Sequence, residues 1–319
     1  MEAQNGQEVL SSEQIRREAA AVGFDRCGIC PPRHFEAERR FFEGWLARGC
    51  DAGLGYLRRN VDKRFDVAAL MPEARSVIVC AVAYRNGTSL GYGEVPGVPK
   101  VASYARSVDY HSSIKAMLAE LAERLGLKVR GIRFRTFTDT APLLEKRLAV
   151  EAGLGFIGRN KLLIVPGLGS FVLLGELVVD RPVDRYDVPQ PVGAGCGVCH
   201  RCEEACPTGA LTAGGLDARR CIARLTIERD PATVPELAAT ASLDTAGWIF
   251  GCDVCQSVCP HNRHVPLFRN ERFRPLFDPA AMTADRWLAM SEEQFEKEFG
   301  ATPMARAGLD RIKRLLRGR

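Results

Sequence analysis

Apolar positions in this chain follow two spacings, and each predicts a different kind of element. The stretch Ser76-Val-Ile-Val-Cys-Ala-Val-Ala-Tyr84 is apolar almost without a break and of strand length, so it predicts a buried strand. Phe171-Val-Leu-Leu-Gly-Glu-Leu-Val-Val179 reads the same way. A helix is predicted from Ser12 to Gly23, leading into a short apolar turn or strand, Phe24 to Cys30, that Pro31 and Pro32 stop. Ile114, Met117, Leu118, Leu121 and Leu125 recur at helical spacing, and Gly126 supplies the stop. Ser291-Glu-Glu-Gln294 is a capping box opening a helix that carries Phe295 and Phe299. Strands and helices alternate through the first part, which predicts an α/β (α+β) layer fold. Residues 86 to 99 are rich in Gly and Pro and read as a loop. Arg181 to Gly195, also rich in Pro and Gly, reads as a boundary before a second unit.

Composition narrows the class. The 319 residues are 46% hydrophobic and 26% charged, ordinary for a soluble globular protein of two modest domains or one with an appended module. No run of about 18 apolar residues suggests a membrane span. Met1 to Ala20 is polar and lacks the apolar stretch of a secretory signal. Arg16-Arg17 is followed by Glu18 and not by an apolar region, so a twin-arginine leader is not expected either. The cytoplasm is the expected location. The net charge of +5 is uneven: Arg306, Arg311, Lys313, Arg314, Arg317 and Arg319 face a single acid, Asp310, near the end of the sequence. Such a patch suits a solvated helix face, which charge alone favours, or contacts to phosphates.

The cysteines carry the most specific chemistry. Cys196, Cys199, Cys202, Cys206 and Pro207 form a complete C-x2-C-x2-C-x3-C-P run. Cys252, Cys255, Cys259 and Pro260 repeat its last three cysteines. In ferredoxins with two [4Fe–4S] clusters, the three closely spaced cysteines hold one cluster and the fourth crosses to the other. Cluster one then takes Cys196, Cys199, Cys202 and Cys259, and cluster two takes Cys206, Cys252 and Cys255. Ile249 stands where the eighth ligand belongs, and Cys221, between the two runs, is the expected replacement. Structural zinc is the rival reading of C-x2-C pairs, and the repeated Cys-Pro ending argues against it. Cys27, Cys30 and Cys80 read as buried structural thiols.

Clusters relay electrons, so another group must use them. Phe134-Arg-Thr-Phe-Thr-Asp139-Thr-Ala-Pro142 places Asp139 between an aromatic-rich strand and a predicted helix start. Asp139 is either a helix N-cap or a general acid kept neutral by an apolar pocket, with a raised pKa. Gly153, Gly155 and Gly158 could let backbone approach a cofactor closely, though they do not form a dinucleotide fingerprint.

Several ordered motifs closely resemble the epoxyqueuosine reductase family. They include Phe-Thr-Asp139-Thr-Ala-Pro-Leu-Leu-Glu-Lys, Gly-Phe-Ile-Gly158-Arg-Asn160-Lys, Gly169-Ser170-Phe, Leu-Gly175-Glu-Leu and Cys221-Ile222 with Leu-Thr226-Ile-Glu228. Gly53-Leu-Gly-Tyr56-Leu, Val108-Asp109-Tyr110-His111 and Ile-Phe-Gly251-Cys-Asp-Val-Cys belong to the same resemblance, which runs from about residue 12 to about residue 315. The resemblance implies a cobalamin-dependent enzyme, related to reductive dehalogenases, that removes the epoxide oxygen of epoxyqueuosine at the tRNA wobble position. It implies an α/β cobalamin-binding catalytic domain over residues 1–180, a double [4Fe–4S] ferredoxin-like module over 181–265, and a helical basic tail over 266–319. It puts Asp139 at the proton donor's position and Tyr104, Arg159, Asn160, Lys161, Ser170 and Thr226 near the cobalamin. No Asp-x-His-x-x-Gly motif is present, so no histidine ligand to cobalt is expected from that source. Some members continue into a helical-repeat domain; here the grip on tRNA is expected from the core and the basic tail. The expected partners are a tRNA carrying epoxyqueuosine and an external electron donor, with the chain working as a monomer and no membrane. A dehalogenase and a non-enzymatic electron carrier are the alternatives.

Overall fold

The computed structural model describes residues 8–89, 97–190, 195–228 and 243–318. In chain order the elements that position the site are α1 (Ser12–Val22), β1 (Arg26–Cys30), α2 (Glu36–Ala47) and β2 (Ser76–Ala83). Then come β3 (Lys100–Val101), α3 (Tyr110–Arg124), β4 (Phe134–Phe137), α4 (Glu145–Glu151) and β5 (Val172–Val179). The second half adds α5 (Ile222–Ile227), β6 (Trp248–Phe250), α6 (Ala284–Ala289), α7 (Glu292–Phe299) and α8 (Leu309–Arg317).

Local chemistry sets the helix ends where the sequence marks them. Ser11 accepts a hydrogen bond from the Gln14 amide at 3.2 Å, and Gly23 closes α1 with φ +102°. Ser291 and Gln294 form both halves of the capping box on α7. Gly126 lies just beyond α3 with φ +63°.

The central sheet has the order β1-β2-β5-β4, and every pairing in it is antiparallel. Of the expected α/β (α+β) layer fold the structure takes the α+β form, with an antiparallel sheet. Both faces of this sheet are covered, and a fully covered strand reads as a continuous apolar run whichever way its neighbours point. One face buries Ile15 and Ala19 of α1 with Ile114, Met117 and Leu118 of α3. The other buries Phe65, Leu143, Leu148 and Leu163. Helix α3 lies close on β5 because Gly175 has no side chain: a Cβ there would stand 2.5 Å from Ile114 Cγ2.

The later segments are woven into the earlier ones. β3 pairs with β6 in parallel, so a piece of the first half shares a ladder with the strand preceding the second cysteine run. Trp287, Phe295, Phe299, Ile312 and Leu316 of α6 to α8 are buried in one cluster with Val101, Ala105, Ile249 and Phe250. Residues 266–318 are therefore an integral layer. Arg311 is buried and donates to the Leu225 carbonyl, and Arg306 pairs with Glu228 at 2.8 Å. Arg319 lies outside the described residues. Among the described residues, no helix is long and apolar enough to cross a membrane.

Candidate functional site

The cysteines separate into two groups of four. Cys196, Cys199, Cys202 and Cys259 line one small cavity of about 30 Å³ together with Arg159, Asn160 and His261. Cys206, Cys221, Cys252 and Cys255 line one wall of a larger cavity of about 410 Å³. Cys221 caps the N-terminus of α5, and Ile249 is fully buried inside β6. Among the described residues no three Cys, His, Asp or Glu side chains are grouped to hold a single ion. Four thiols around a cavity suit a cluster, in which each sulfur meets a different iron, better than one zinc. The Arg159 amide donates to Cys196 Sγ at 3.4 Å.

The cavity of the second thiol group is also lined by Tyr84, Tyr104, Tyr110, Asp139, Glu145, Lys146 and the apolar side chains Leu173 and Leu174. Asp139, Glu145 and Lys146 also line an adjoining cavity of about 700 Å³, whose far wall holds Phe41, Phe42, Tyr56, Arg59 and Arg64. Asp139 does not cap α4, whose N-cap is Leu144. It sits in a bend with φ +52°, a left-handed conformation unusual for a residue with a side chain. Its amide donates to the Glu145 carboxylate, and Tyr110 Oη donates to Asp139 Oδ2 at 2.5 Å.

His111 bridges two carboxylates. Nδ1 lies 2.7 Å from Asp109 Oδ1 and Nε2 lies 3.4 Å from Asp139 Oδ2. Both ring nitrogens must then donate, which requires imidazolium. Its pKa is raised to about 9, first by the hydrogen bond to Asp109 and next by that to Asp139. The same contact, opposed by desolvation and helped by Tyr110, lowers the Asp139 carboxyl below its ordinary value. The expectation of a raised pKa at Asp139 is thus overturned: a cation delivered by α3 outweighs the apolar surroundings. The raised carboxyls are its neighbours. Burial, then repulsion from Asp139, lifts Glu145 to about 7. Glu176, on β5 and fully buried, is pushed well up by burial and then by Glu145. Lys146 is open to the cavity yet enclosed by protein, and lost solvation lowers its ammonium.

The other expected residues divide. Tyr104 lines the larger cavity, 6.0 Å from Tyr110 ring to ring, and burial keeps its phenol protonated. Asn160 lines both thiol cavities; its Oδ1 accepts from the Leu162 amide at 3.2 Å and its buried Nδ2 has no partner. Arg159 belongs to the first thiol group and donates to the Gly197 carbonyl at 3.2 Å. Lys161 contributes backbone, its carbonyl accepting from Lys146 Nζ at 2.8 Å. Ser170 and Thr226 lie off the cavity wall. Ser170 Oγ donates to Gln256 at 3.0 Å and accepts from Asn262 at 2.9 Å. Thr226 Oγ1 donates to the Ile222 carbonyl at 2.8 Å and accepts from the Gly251 amide at 2.9 Å. Sequence reasoning had His111, Glu145 and Glu176 inside the resembling motifs but gave none of them a role; Glu176 had one further local signal, as the single charge inside an apolar strand.

Comparison with known proteins adds an independent line. Residues 195–262 match the family described as 4Fe-4S double cluster binding domain, and residues 64–140 match Epoxyqueuosine reductase QueG, DUF1730. The chain is 35% identical over 301 residues to the epoxyqueuosine reductase of Cyclobacterium marinum, covering 94% of each. It is 34% identical over 300 residues to that of Escherichia coli, covering 93% of this chain and 77% of the relative. Its fold is similar to a crystal structure of epoxyqueuosine reductase with an epoxyqueuosine-modified tRNA stem loop. That TM-score is 0.79 at 27% identity, covering 95% of this chain and 79% of the other. The Bacillus subtilis epoxyqueuosine reductase, solved with its catalytic loop swung out of the active site, matches with the same TM-score of 0.79 and 27% identity, again over 95% and 79%.

Proposed function

This chain belongs to the epoxyqueuosine reductase family, and from that premise we propose that it removes the epoxide oxygen of epoxyqueuosine in the wobble position of tRNA. The observation that carries the reading is the shared cavity: Asp139, held by His111, and Tyr110 line the same space as the four thiols of the second group.

Cys196, Cys199, Cys202 and Cys259 are proposed to hold one [4Fe–4S] cluster, and Cys206, Cys221, Cys252 and Cys255 the other. The thiol-lined cavity of about 410 Å³ fits cobalamin: Leu173, Leu174, Val172 and Leu216 give it apolar walls, and the unpartnered Asn160 Nδ2 offers a buried donor. Bound there, cobalamin would supply low-valent cobalt as the two-electron reductant of the epoxide, refilled one electron at a time through the clusters. Residues 1–180, 181–265 and 266–319 are proposed as the catalytic region, cluster module and basic C-terminal layer.

The chain's own residues handle protons and position. Opening the epoxide leaves an oxyanion, which Asp139 is placed to protonate. His111, an imidazolium at neutral pH, holds the proton that reaches the oxyanion through Asp139, so the carboxylate relays it and need not rest in the acid form. Tyr110 fixes the carboxylate oxygen by donating to it. The adjoining cavity, with Phe41, Tyr56, Arg59 and Arg64, suits an unstacked nucleoside, since RNA loops are read by stacking on aromatic and guanidinium planes. The chain is proposed to work as a monomer. A tRNA substrate supports a cytoplasmic location. The electron donor is external.

The test uses anaerobically prepared protein with both clusters and cobalamin, a strong reductant, and tRNA rich in epoxyqueuosine. Mass spectrometry of the nucleosides is expected to show loss of one oxygen, dependent on cobalamin. Asp139→Asn is expected to keep iron and cobalamin while turnover falls by ~10²–10⁴-fold. An unchanged epoxide with intact cofactors would overturn the assignment, and normal turnover in the variant would remove Asp139 from it.

A further inference from the structure

Removing an epoxide oxygen as water takes two electrons and two protons. Two C–O bonds break, an alkene forms, and the oxygen leaves carrying both protons. The Asp139 and His111 relay delivers one proton. Tyr110 is a poor source of the other, because burial and the adjacent Asp139 charge push its phenol far up. The site needs a second donor that faces the same space.

We propose that Glu145 and Glu176 form a carboxyl pair sharing one proton, with Glu145 as the donor facing the cavities and Glu176 as the buried store behind it. The proposal rests on the oxygen-removal reading above. Glu176 is fully buried, and neither of its carboxylate oxygens makes a hydrogen bond of good geometry. On β5 it shares a face with Leu174 and Val178, and it pairs in register with Phe137 and Val79. That face is the one covered by Leu148 and Ala149 of α4, the helix that Glu145 opens. An ionised carboxylate in such a place is costly to desolvate, and two this close cannot both ionise at neutral pH. One proton is therefore retained between them.

The remaining groups around the pair do not neutralise it. Cys30 on β1 lies on the same face as Glu176 with a buried thiol whose pKa is raised, so it stays neutral. Lys146, next to Glu145, commits Nζ to the Lys161 carbonyl. Asp139 adds a negative charge that favours the protonated form of Glu145, while from α3 Tyr110 and His111 both turn to Asp139. Glu145 lines both cavities, so a proton leaving it enters the space where the oxygen departs. Its value of about 7 matches a group that can give up a proton and regain it near neutral pH.

The experiment has two arms on the cofactor-loaded protein. Infrared difference spectra across a pH titration need no turnover, and are expected to show a protonated carboxyl band at neutral pH that titrates near 7. The titration near 7 should vanish in Glu145→Gln, where Glu176 keeps a band that burial holds in the acid form, and should move in Glu176→Gln, which lacks the partner. Single-turnover rates in the wild type are expected to fall along a first limb near pH 7 and a second near pH 9, the second belonging to His111. Glu145→Gln should lose the lower limb and about tenfold or more in rate, and Glu145→Asp should restore part of both. If Glu176→Gln does not fold, Glu145→Gln at the start of α4 carries both arms alone. No such band in the wild type overturns the shared proton. A band with an unchanged limb in Glu145→Gln overturns its role in delivery. If no substrate is turned over at all, the infrared arm still decides the pair, so that failure is distinct from failure of the functional reading.

Discussion

At the scale of single residues, the active-site acid shows how far chemical type alone can be read. Asp139 is a plausible acid from its neighbours in sequence, yet its charge state is set by His111, 28 positions earlier, which reaches it only because α3 begins beside the bend. Cys221 is the opposite case. The count of seven motif cysteines and the isoleucine at 249 singled it out, and it lies on the same cavity wall as Cys206, Cys252 and Cys255. Cys221→Ala is expected to lower iron from about eight atoms per chain toward about four, measured chemically alongside the visible absorption of the clusters. Cys50→Ala, a cysteine in neither group, should leave both unchanged.

At the scale of elements, patterning predicted most of the parts well. β2 and β5 span 76–83 and 172–179, nearly the apolar runs that predict them, because an uninterrupted apolar run of that length has few other ways to be buried. The ends of α1 and α7 sit at their caps because unpaired amides there need a nearby side-chain oxygen. Strand direction was not readable, since burial on both faces erases the alternation that marks a one-sided antiparallel sheet. The contact of α3 with β5 depends on a missing side chain. Gly175→Ala would put a Cβ at 2.5 Å from Ile114 Cγ2 and 3.1 Å from Leu118 Cδ1. Overpacking of this kind is expected to cost about 1–3 kcal/mol, read from the denaturant midpoint at constant m-value.

At the scale of the whole molecule, the segments are held together by a shared core. Val101 and Ala105 from the first half, Ile249 and Phe250 from the cluster-bearing part, and Trp287, Phe299 and Ile312 from the last helices all bury one another. A chain ending before residue 266 would expose that face, and is expected to be insoluble or to lose its iron, as gel filtration and iron analysis would show; a soluble, iron-loaded product would contradict the shared core. By itself the sequence determined the two cysteine groups, the buried strands, the helix caps and the family, because each depends on residue type and spacing along the chain. Only the tertiary structure decided the antiparallel sheet, the integral C-terminal layer, the ionised Asp139 and the Glu145 and Glu176 pair. Those follow from which side chains meet across long separations, where charge and desolvation act through space and leave no pattern along the chain.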